Sequence, residues 1–524
     1  LINTFLIDTG MNAAVMLERV RDIPFLLTHI MNAVTMAVTI VVVAVPEGLP
    51  MMITVILSSN MKKMLRDHVL VRKMVGIETA GSLNLLFTDK TGTLTVGSLS
   101  VTRFVSGSAG EYGKISHLKK DRGLYELYAL SARYNTASDI SRGTALGGNA
   151  TDRALLSSIL PVSGTGADIL VTSKIPFDSR YKYSAASVQG RYNLTLVKGA
   201  PEKILPAAKY YFDENGSVRP LKEFEKLKEK WSEMAKSAMR VLAIAASEEA
   251  VREGEGFPPL ILIGLVGIKD EIRREAKEAV LSVRGAGIQT VMITGDNADT
   301  AAAIARECGI ILPDDRAVIL TGQELAAMKD SEVKEVLNDL RVVARALPTD
   351  KSRLVRIAQE EGLVAGMTGD GINDAPALKA ADVGFAMGSG TEVAKEAGDV
   401  VILDNNIASI AKAVLYGRTI FKSIRKFIIF QLTMNLCAVG VSIVGPLIGV
   451  DAPITVMQML WVNIIMDTLG GLAFAGEAPQ REYMREAPKR RDEPIVNRYM
   501  VNQIFWLAAF TLGLFLLFLK SPAL

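Results

Sequence analysis

The uneven distribution of apolar residues is the feature that most restricts the fold of this chain. Apolar residues make up 49% of its 524 residues, and they concentrate near the start and toward the C-terminus. A bilayer crossing needs about 20 mostly apolar residues, and long apolar stretches cover 24–58, 427–450, 454–475 and 501–519. The section between them reads as ordinary globular sequence. The pattern predicts an α-helical transmembrane bundle that carries a large domain outside the membrane.

Basic residues indicate the side on which that domain lies. Clusters at 62–73 and 418–426 border the middle section, and a third cluster at 481–498 follows two further crossings. Because cytoplasmic loops carry the excess of Lys and Arg, all three clusters are expected on the cytoplasmic side. We therefore expect a multi-pass protein in contact with membrane lipid, with its large domains on the cytoplasmic side. The net charge of +3 gives no indication of nucleic-acid binding.

The middle section alternates short β-branched runs with amphipathic helical patterns, as at 260–267, 271–284, 290–294 and 300–308. This alternation predicts an α/β domain with a Rossmann-like, doubly wound parallel sheet. The rhythm changes where short strands and polar loops predict an inserted α+β domain. The expected boundaries are 1–60 and 416–524 for the membrane segments, 61–98 and 256–415 for the sheet domain, and 99–255 for the insertion.

Several polar residues follow predicted strands of the sheet domain. Asp89 follows the apolar run 85–88, and Thr294 and Gly295 follow 291–293. Ligands of open α/β sheets bind at the carboxyl ends of the strands. Asp89 is therefore a candidate nucleophile that forms an acyl phosphate, with the Thr294 hydroxyl and the Gly295 amide holding phosphoryl oxygens.

Charged residues of the sheet domain are also candidates for controlling the charge of the phosphoryl group. Lys351 would neutralise a phosphoryl group, and Asp370 and Asp374 follow the run 364–367 four residues apart. Carboxylates and phosphate oxygens are the ligands that Mg²⁺ prefers, and phosphoryl transfer depends on such positive charge. The chain contains no GxxxxGK[ST] sequence, which disfavours a P-loop nucleotide hydrolase.

The first long apolar stretch contains a candidate ion site. Pro46 removes the helical partner of the Val42 carbonyl, and Pro50 does the same for Pro46. Freed carbonyls within a membrane are tolerated where they line a cavity or bind a ligand. Glu47 adds an intramembrane carboxylate, which is functional by default, so the segment predicts a hard-cation site.

Three later polar residues point to the same site. Asn463 and Asp467 lie four apart, hence on one helix face. Asn435 lies in the preceding span, where interhelical hydrogen bonding is an equal alternative.

Sequence motifs extend these expectations. Residues 89–95 read DKTGTLT and 368–379 read TGDGINDAPALK, together with PEGLP at 46–50 and KGAPE at 198–202. They resemble the motifs of the P-type ATPases, whose core is a haloacid dehalogenase-like domain, and the resemblance covers essentially the whole chain. It implies ATP-driven cation transport through phosphorylated Asp89, with Mg²⁺ held by Asp89, Thr91, Asp370, Asn373 and Asp374. Phosphatases of that superfamily carry a second Asp where this chain has Thr91, so the resemblance implies a long-lived aspartyl phosphate.

The resemblance also implies an ATP site in the inserted domain. Phe177 would stack on adenine, although a Phe in such a sequence is more often a core residue. Lys182 and Lys198 would line the pocket, Arg240 would approach the phosphates, and Asp152 would lie near the adenine. The remaining implied nucleotide contacts are Gly199, Asp270, Arg273, Thr294, Gly295 and Asp296.

PEGLP together with LWVNIIMDTL resembles the calcium pumps, and FQLTMNLCAV resembles their plasma-membrane type, including bacterial forms. In that run, Ala438 stands where the sarcoplasmic-reticulum type has an acidic ligand. The resemblance implies one Ca²⁺ per ATP, bound by Val42, Val43, Val45, Glu47, Asn435, Asn463 and Asp467. It also implies that the membrane is the plasma (inner) membrane.

Alternatives remain open at this stage. The carboxylates do not exclude a pump for Na⁺/K⁺, H⁺, Mn²⁺ or Mg²⁺. A membrane-anchored phosphohydrolase is a second class, but Thr91, the nucleotide-domain motifs and Glu47 argue against it. A non-catalytic binding module is a third class. The sequence contains no TGES, the loop of the family's actuator domain. We expect this chain to lack the actuator domain and the first spans. It would bind ATP and accept phosphate at Asp89 without completing a transport cycle.

Overall fold

The computed structural model describes residues 22–44, 49–161, 169–237, 239–445, 448–450, 453–489, 491 and 493–520. The strands, in chain order, are β1 Val69–Val71, β2 Leu85–Asp89, β3 Thr95–Ser106, β4 Glu111–Tyr112, β5 Ser138–Ser141, β6 Thr144–Gly147, β7 Ile169–Asp178, β8 Tyr183–Gly190, β9 Leu194–Gly199, β10 Ala208–Phe212, β11 Val218–Pro220, β12 Arg240–Ser247, β13 Leu260–Ile272, β14 Gln289–Thr294, β15 Val318–Thr321, β16 Leu340–Ala344, β17 Ala365–Gly369, β18 Val383–Met387 and β19 Val400–Ile402.

The α-helices of the described residues are α1 Ile23–Ala44, α2 Leu49–Arg66, α3 Met74–Gly81, α4 Ile115–Leu118, α5 Arg122–Tyr134, α6 Ala150–Ser158, α7 Pro201–Ile204, α8 Phe224–Lys236, α9 Ala276–Gly285, α10 Ala298–Glu307, α11 Gly322–Ala327, α12 Asp330–Val336, α13 Pro348–Glu360, α14 Ala375–Ala380, α15 Glu392–Ala397, α16 Ile407–Val444, α17 Val456–Ala475 and α18 Arg498–Lys520.

The first sheet has the order β1-β19-β18-β17-β2-β14-β16-β15, and every pairing is parallel except that of β1 with β19. One face packs on α3, α9 and α10, and the other packs on α13 and α14. Parallel strands covered by helices on both faces form a doubly wound sheet. The predicted fold class is confirmed, and β2 lies between β14 and β17 in the middle of the sheet.

The second sheet is mainly antiparallel and has the order β11-β10-β13-β12-β9-β8-β7, with β3 beside β13. Its helices α5 and α6 cover one face and α8 covers the other. The prediction that 260–267 belongs to the parallel sheet was wrong, because these residues form β13 of this second sheet. The second sheet therefore begins at β3 and ends with β13, beyond the expected boundaries of 99 and 255 on both sides.

Three described helices are long and apolar enough to cross a membrane: Ile407–Val444, Met457–Ala475 and Arg498–Lys520. They correspond to the three C-terminal apolar stretches that the sequence predicts to cross the membrane. Helix α16 is continuous over 38 residues, and its first turns share one hydrophobic core with the parallel sheet. One rigid element therefore links the sheet domain to the membrane.

The N-terminal apolar stretch forms two helices, α1 and α2, on either side of 45–48, which lie outside the described residues. Helix α2 buries Met52, Ile56, Asn60 and Met64 at four-residue spacing. A Cβ on Gly471 of α17 would lie 3.2 Å from the Met52 side chain. Helices α2 and α17 therefore approach closely, which brings the two ends of the chain together in the membrane region.

Candidate active site and cation site

Three strand ends of the parallel sheet meet around Asp89. In the pairing of β2 with β14, Asp89 lies opposite Ile293, so Thr294 is one residue beyond it. Strand β17 ends at Gly369 on the other side of β2. The backbone N–H of Asp89 donates to the Thr368 hydroxyl at 2.9 Å. This hydrogen bond fixes the backbone of Asp89. Its carboxylate therefore lies at the edge where such sheets bind ligands.

Lys351 joins two of the predicted carboxylates. Its Nζ donates to Asp89 Oδ2 at 2.9 Å and to Asp374 Oδ1 at 2.7 Å. The other oxygen of Asp374 accepts the backbone N–H groups of Asp370 and Gly371 at 3.2 and 3.0 Å. Burial lowers the pKa of Lys351, but Asp89 and Asp374 outweigh it, so the net pKa lies above the ordinary value. The ammonium therefore stays charged.

Asp370 completes a group of three carboxylates. Carboxylate oxygens of Asp89, Asp370 and Asp374 all lie within 4.8 Å of one another. Burial, followed by the charges of Asp89 and Asp374, raises the pKa of Asp370. Three acidic oxygens with one lysine between them fit a hard divalent cation. Thr91 and Asn373, the other two expected Mg²⁺ ligands, are exposed.

The loop after Asp89 is tied to neighbouring strands. Gly92 has φ +76°, which favours glycine because it has no Cβ. Arg273 donates to the carbonyls of Thr95 at 3.1 Å and Gly92 at 3.2 Å. Asp270 accepts from the Thr95 hydroxyl at 2.6 Å and from the Gly97 N–H at 2.9 Å. The two residues expected at the nucleotide thus hold the loop that follows the candidate nucleophile Asp89.

Sequence reasoning assigned no role to two residues here. Lys90 forms an ion pair with Asp296 at 2.8 Å, which ties the nucleophile loop to the loop after β14. Thr368 holds the backbone of Asp89. Both lie inside the motifs that predicted the site. Asp296 itself donates its N–H to Thr294 Oγ1 at 3.2 Å, and Gly295 lies between them.

In the inserted domain Lys198 and Asp152 form a buried ion pair. Lys198 also donates to the carbonyl of Asn135, and Asp152 Oδ2 accepts the N–H of Ala137 at 3.0 Å. Burial lowers the pKa of Lys198, and Asp152 opposes that effect. A Cβ on Gly199 would lie 2.4 Å from the Lys182 carbonyl, so the close approach of β8 and β9 requires glycine there.

The other predicted nucleotide residues lie at the surface of this domain. Phe177 is 55% exposed, so it is not a core residue. Lys182 pairs with Glu202 at 3.2 Å, and both side chains are about half exposed. Arg240 donates to the Thr151 hydroxyl at 3.0 Å, next to Asp152 on α6.

Buried polar side chains face one another between α16 and α17. Gln431 on α16 donates to Asp467 Oδ1 on α17 at 3.2 Å. Both amide atoms of Asn435 and the Oδ1 atom of Asn463 are buried without a hydrogen-bond partner among the described residues. Within the described part of the chain, Asn435 makes no interhelical hydrogen bond. Gln431 was missed, although its position four residues before Asn435 places both on one helix face.

The remaining predicted cation ligands belong to the N-terminal stretch. Val42 and Val43 lie in the last turn of α1, while Val45 and Glu47 lie outside the described residues. Ala438 packs in an apolar cluster with Met459.

Family models match the part of the chain that contains the candidate active site. A family model described as haloacid dehalogenase-like hydrolase matches residues 83–382, and a second of the same description matches 360–414. The model described as the C-terminus of cation transporting ATPases matches residues 451–522.

Curated relatives include plasma membrane-type calcium-transporting ATPases. Calcium-transporting ATPase 7 of Oryza sativa subsp. japonica is 38% identical over 92% of this chain and 48% of its own length. Calcium-transporting ATPases 9 and 10 of Arabidopsis thaliana are 39% and 37% identical, over 89% and 91% of this chain and 45% and 47% of their own lengths. The chain spans about half the length of the curated relatives it matches. With more than half of its residues matched by the first model, the chain belongs to the haloacid dehalogenase-like hydrolase family and is a relative of the plasma-membrane-type calcium-transporting ATPases.

Proposed function

We propose that this chain is the catalytic and ion-binding part of an ATP-driven cation pump in which Asp89 accepts phosphate. One observation carries the proposal. Lys351 bridges Asp89 and Asp374 beside Asp370 at the carboxyl ends of the central strands. That arrangement provides a nucleophile, a fixed positive charge and a cluster of acidic oxygens for Mg²⁺. The membrane helices and the calcium-transporting relatives support coupling to ion transport.

The chemistry follows from the positions of these groups. Asp89 attacks the γ-phosphorus of ATP, one Oδ–P bond forms, and the bond to the β–γ bridging oxygen breaks as ADP leaves. Lys351 stays protonated and stabilises charge on the phosphoryl oxygens. Mg²⁺ at Asp89, Asp370 and Asp374 would supply further positive charge. Thr294 and Gly295 lie beside Asp89 to hold phosphoryl oxygens.

Thr91 explains why the aspartyl phosphate at Asp89 should persist. A hydrolase needs a positioned group that transfers a proton near neutral pH, and a threonine hydroxyl does not ionise there. Thr91 occupies the place of the acid/base that resembling phosphatases carry. The aspartyl phosphate is therefore expected to outlast the departure of ADP and to drive a conformational step.

We assign the inserted domain to nucleotide binding. Exposed Phe177 supplies a ring for adenine, and Arg240 and Lys182 supply accessible positive charge near α6 and β9. The buried pair of Lys198 and Asp152 fixes the strand behind them. The parallel sheet then forms the phosphorylation domain, with β3 and β13 connecting the two domains.

We propose Ca²⁺ as the transported ion. Asn435, Asn463 and Asp467 supply oxygens from α16 and α17, and Glu47 with the carbonyls of Val42, Val43 and Val45 would complete the set. Ca²⁺ takes six to eight oxygen ligands. Ala438 has no side-chain oxygen to offer and packs in an apolar cluster with Met459, which supports one Ca²⁺ per ATP.

Labelled ATP tests the proposal directly. The full-length protein is incubated with labelled ATP and Mg²⁺. Separate samples also contain Ca²⁺, Na⁺, K⁺ or Mn²⁺, and one sample contains no further cation. Ca²⁺ is expected to activate formation of an acid-stable phosphoprotein, and Glu47→Gln is expected to suppress that activation. Phosphorylation that ignores Ca²⁺ but responds to another cation would overturn the calcium assignment. An unchanged response of Glu47→Gln would remove Glu47 from the ion site.

A further inference from the structure

Gln431 stands out among the polar residues of the membrane helices, because it lies within the run FQLTMNLCAV but has no role assigned to it by the sequence. It is 2% exposed and lies on α16, one helical turn before Asn435. Its Nε2 donates to Asp467 Oδ1 across the interface with α17 at 3.2 Å. An ionised carboxylate only accepts hydrogen bonds, so the amide nitrogen has to face Asp467. The amide oxygen is then turned elsewhere.

That amide oxygen is an unusual group for a membrane interior. Gln431 Oε1 is buried and has no hydrogen-bond partner among the described residues. Leaving a buried acceptor unsatisfied is costly, and such groups in native proteins call for an explanation such as a bound ion. Asn435 and Asn463 each present a buried, unpartnered amide oxygen on the same two helices. Three of these unpartnered amide atoms are therefore oxygens, which are the ligands that a hard cation requires, and the fourth is the Nδ2 donor of Asn435.

We propose that Gln431 is a positioning residue of the cation site. Its N–H group fixes one oxygen of the Asp467 carboxylate, and its own amide oxygen joins those of Asn435 and Asn463 in facing the cation. This inference rests on the proposed cation transport and deepens it. It predicts that Gln431 controls cation affinity without taking part in phosphoryl transfer.

The test compares variants of the full-length protein in membranes. Gln431→Leu removes both polar atoms at similar volume, and Thr468→Val is the matched control, because Thr468 bonds only to the Ile464 carbonyl of its own helix in the described structure. Two quantities are measured: the Ca²⁺ concentration for half-maximal phosphorylation from ATP, and phosphorylation of Asp89 from inorganic phosphate without Ca²⁺. For Gln431→Leu we expect the first to rise about tenfold or more and the second to stay unchanged. Thr468→Val should match the wild type in both.

A second variant distinguishes positioning from simple packing. Gln431→Glu places two carboxylates side by side, and such a pair shares a proton near neutral pH. Its Ca²⁺ affinity should approach the wild-type value at about pH 8 and fall toward that of Gln431→Leu at about pH 6. A residue that only packs would not create this pH dependence.

The outcomes separate the inference from the proposed function. An unchanged Ca²⁺ requirement in Gln431→Leu overturns the inference. If Gln431→Leu also loses phosphorylation from inorganic phosphate, the pH dependence of Ca²⁺ affinity in Gln431→Glu decides between positioning and packing. A pH dependence parallel to that of the wild type overturns the inference. If the wild type itself ignores Ca²⁺, the calcium assignment fails. The same comparison is then made with the cation that activates the wild type.

Discussion

Neutralising Asp370 should make the metal-free protein more stable while removing its response to Mg²⁺. Asp89 and Asp374 each bind Lys351, whereas Asp370 lies within 4.8 Å of both carboxylates. Two like charges at 4.8 Å repel by about 3.5 kcal/mol at an effective dielectric constant of about 20 and by about 0.9 kcal/mol in water. Asp370 is half-buried and Lys351 cancels part of the repulsion. Asp370→Asn should therefore stabilise the protein by about 1–3 kcal/mol at pH 7 in EDTA.

The pH dependence has a definite sign. Because the folded-state pKa of Asp370 is raised, its carboxylate opposes folding at pH values above that pKa. As the pH falls from the folded-state pKa to the ordinary value of about 4, the folded state binds the proton first and the penalty shrinks. Below the ordinary value the group is protonated in both states and the penalty is gone. The advantage of Asp370→Asn should shrink over that window.

Thermal unfolding in detergent measures both effects. At a Mg²⁺ concentration about a hundredfold above its dissociation constant, the wild type should gain about 2.7 kcal/mol, while Asp370→Asn should gain much less. Asp382→Asn is unsuitable as a control because Asp382 accepts the N–H of Ala365, so Asp314→Asn, at an exposed carboxylate, is used. Destabilisation by Asp370→Asn in EDTA, or an equal gain from Mg²⁺ in both proteins, would refute the reasoning.

Three further substitutions probe other parts of the molecule. Lys198→Met should cost about 3–5 kcal/mol of unfolding free energy, because it leaves a buried carboxylate unpaired. Lys182→Met, at a half-exposed ion pair, should cost less than about 1 kcal/mol, and equal costs in denaturant titrations would contradict this. Gly417→Ala should lower stability by about 1–3 kcal/mol, since its Cβ would lie 2.3 Å from the Ile77 carbonyl, and Gly513→Ala, with open space around it, should not. Asp270→Ala should slow phosphorylation from ATP without weakening ATP binding, measured by equilibrium titration; a loss of ATP affinity alone would return Asp270 to the nucleotide site.

The active-site residues were predictable because their signals are local. Asp89, Thr294 and Asp370 each follow an apolar run that is long enough for one buried strand, and parallel strands end at a common edge. Strand β13 was misassigned for a related reason. Its residues from Leu260 to Ile268 are all buried, as in a parallel strand, but alternate side chains enter two different cores of the antiparallel sheet. A continuous apolar run indicates burial on both faces, whichever direction its neighbours take.

Contacts between distant segments were harder to predict. Gln431 and Asp467 meet because α16 and α17 pack with one particular rotation, which neither helix sequence specifies alone. The same holds for Asp270 and Arg273, whose hydrogen bonds to the nucleophile loop depend on how β3 pairs with β13. Residue type and spacing identify the chemistry available to such groups, while their partners depend on the tertiary fold.

The central claim is that Asp89 carries the phosphate. Full-length protein is incubated with ATP labelled at the γ-phosphate, Mg²⁺ and Ca²⁺, quenched in acid and treated with hydroxylamine, which cleaves acyl phosphates. We predict that the wild type retains acid-stable label that hydroxylamine removes, and that Asp89→Asn takes up none while its ATP affinity is preserved. Retention of hydroxylamine-sensitive label by Asp89→Asn would contradict the account.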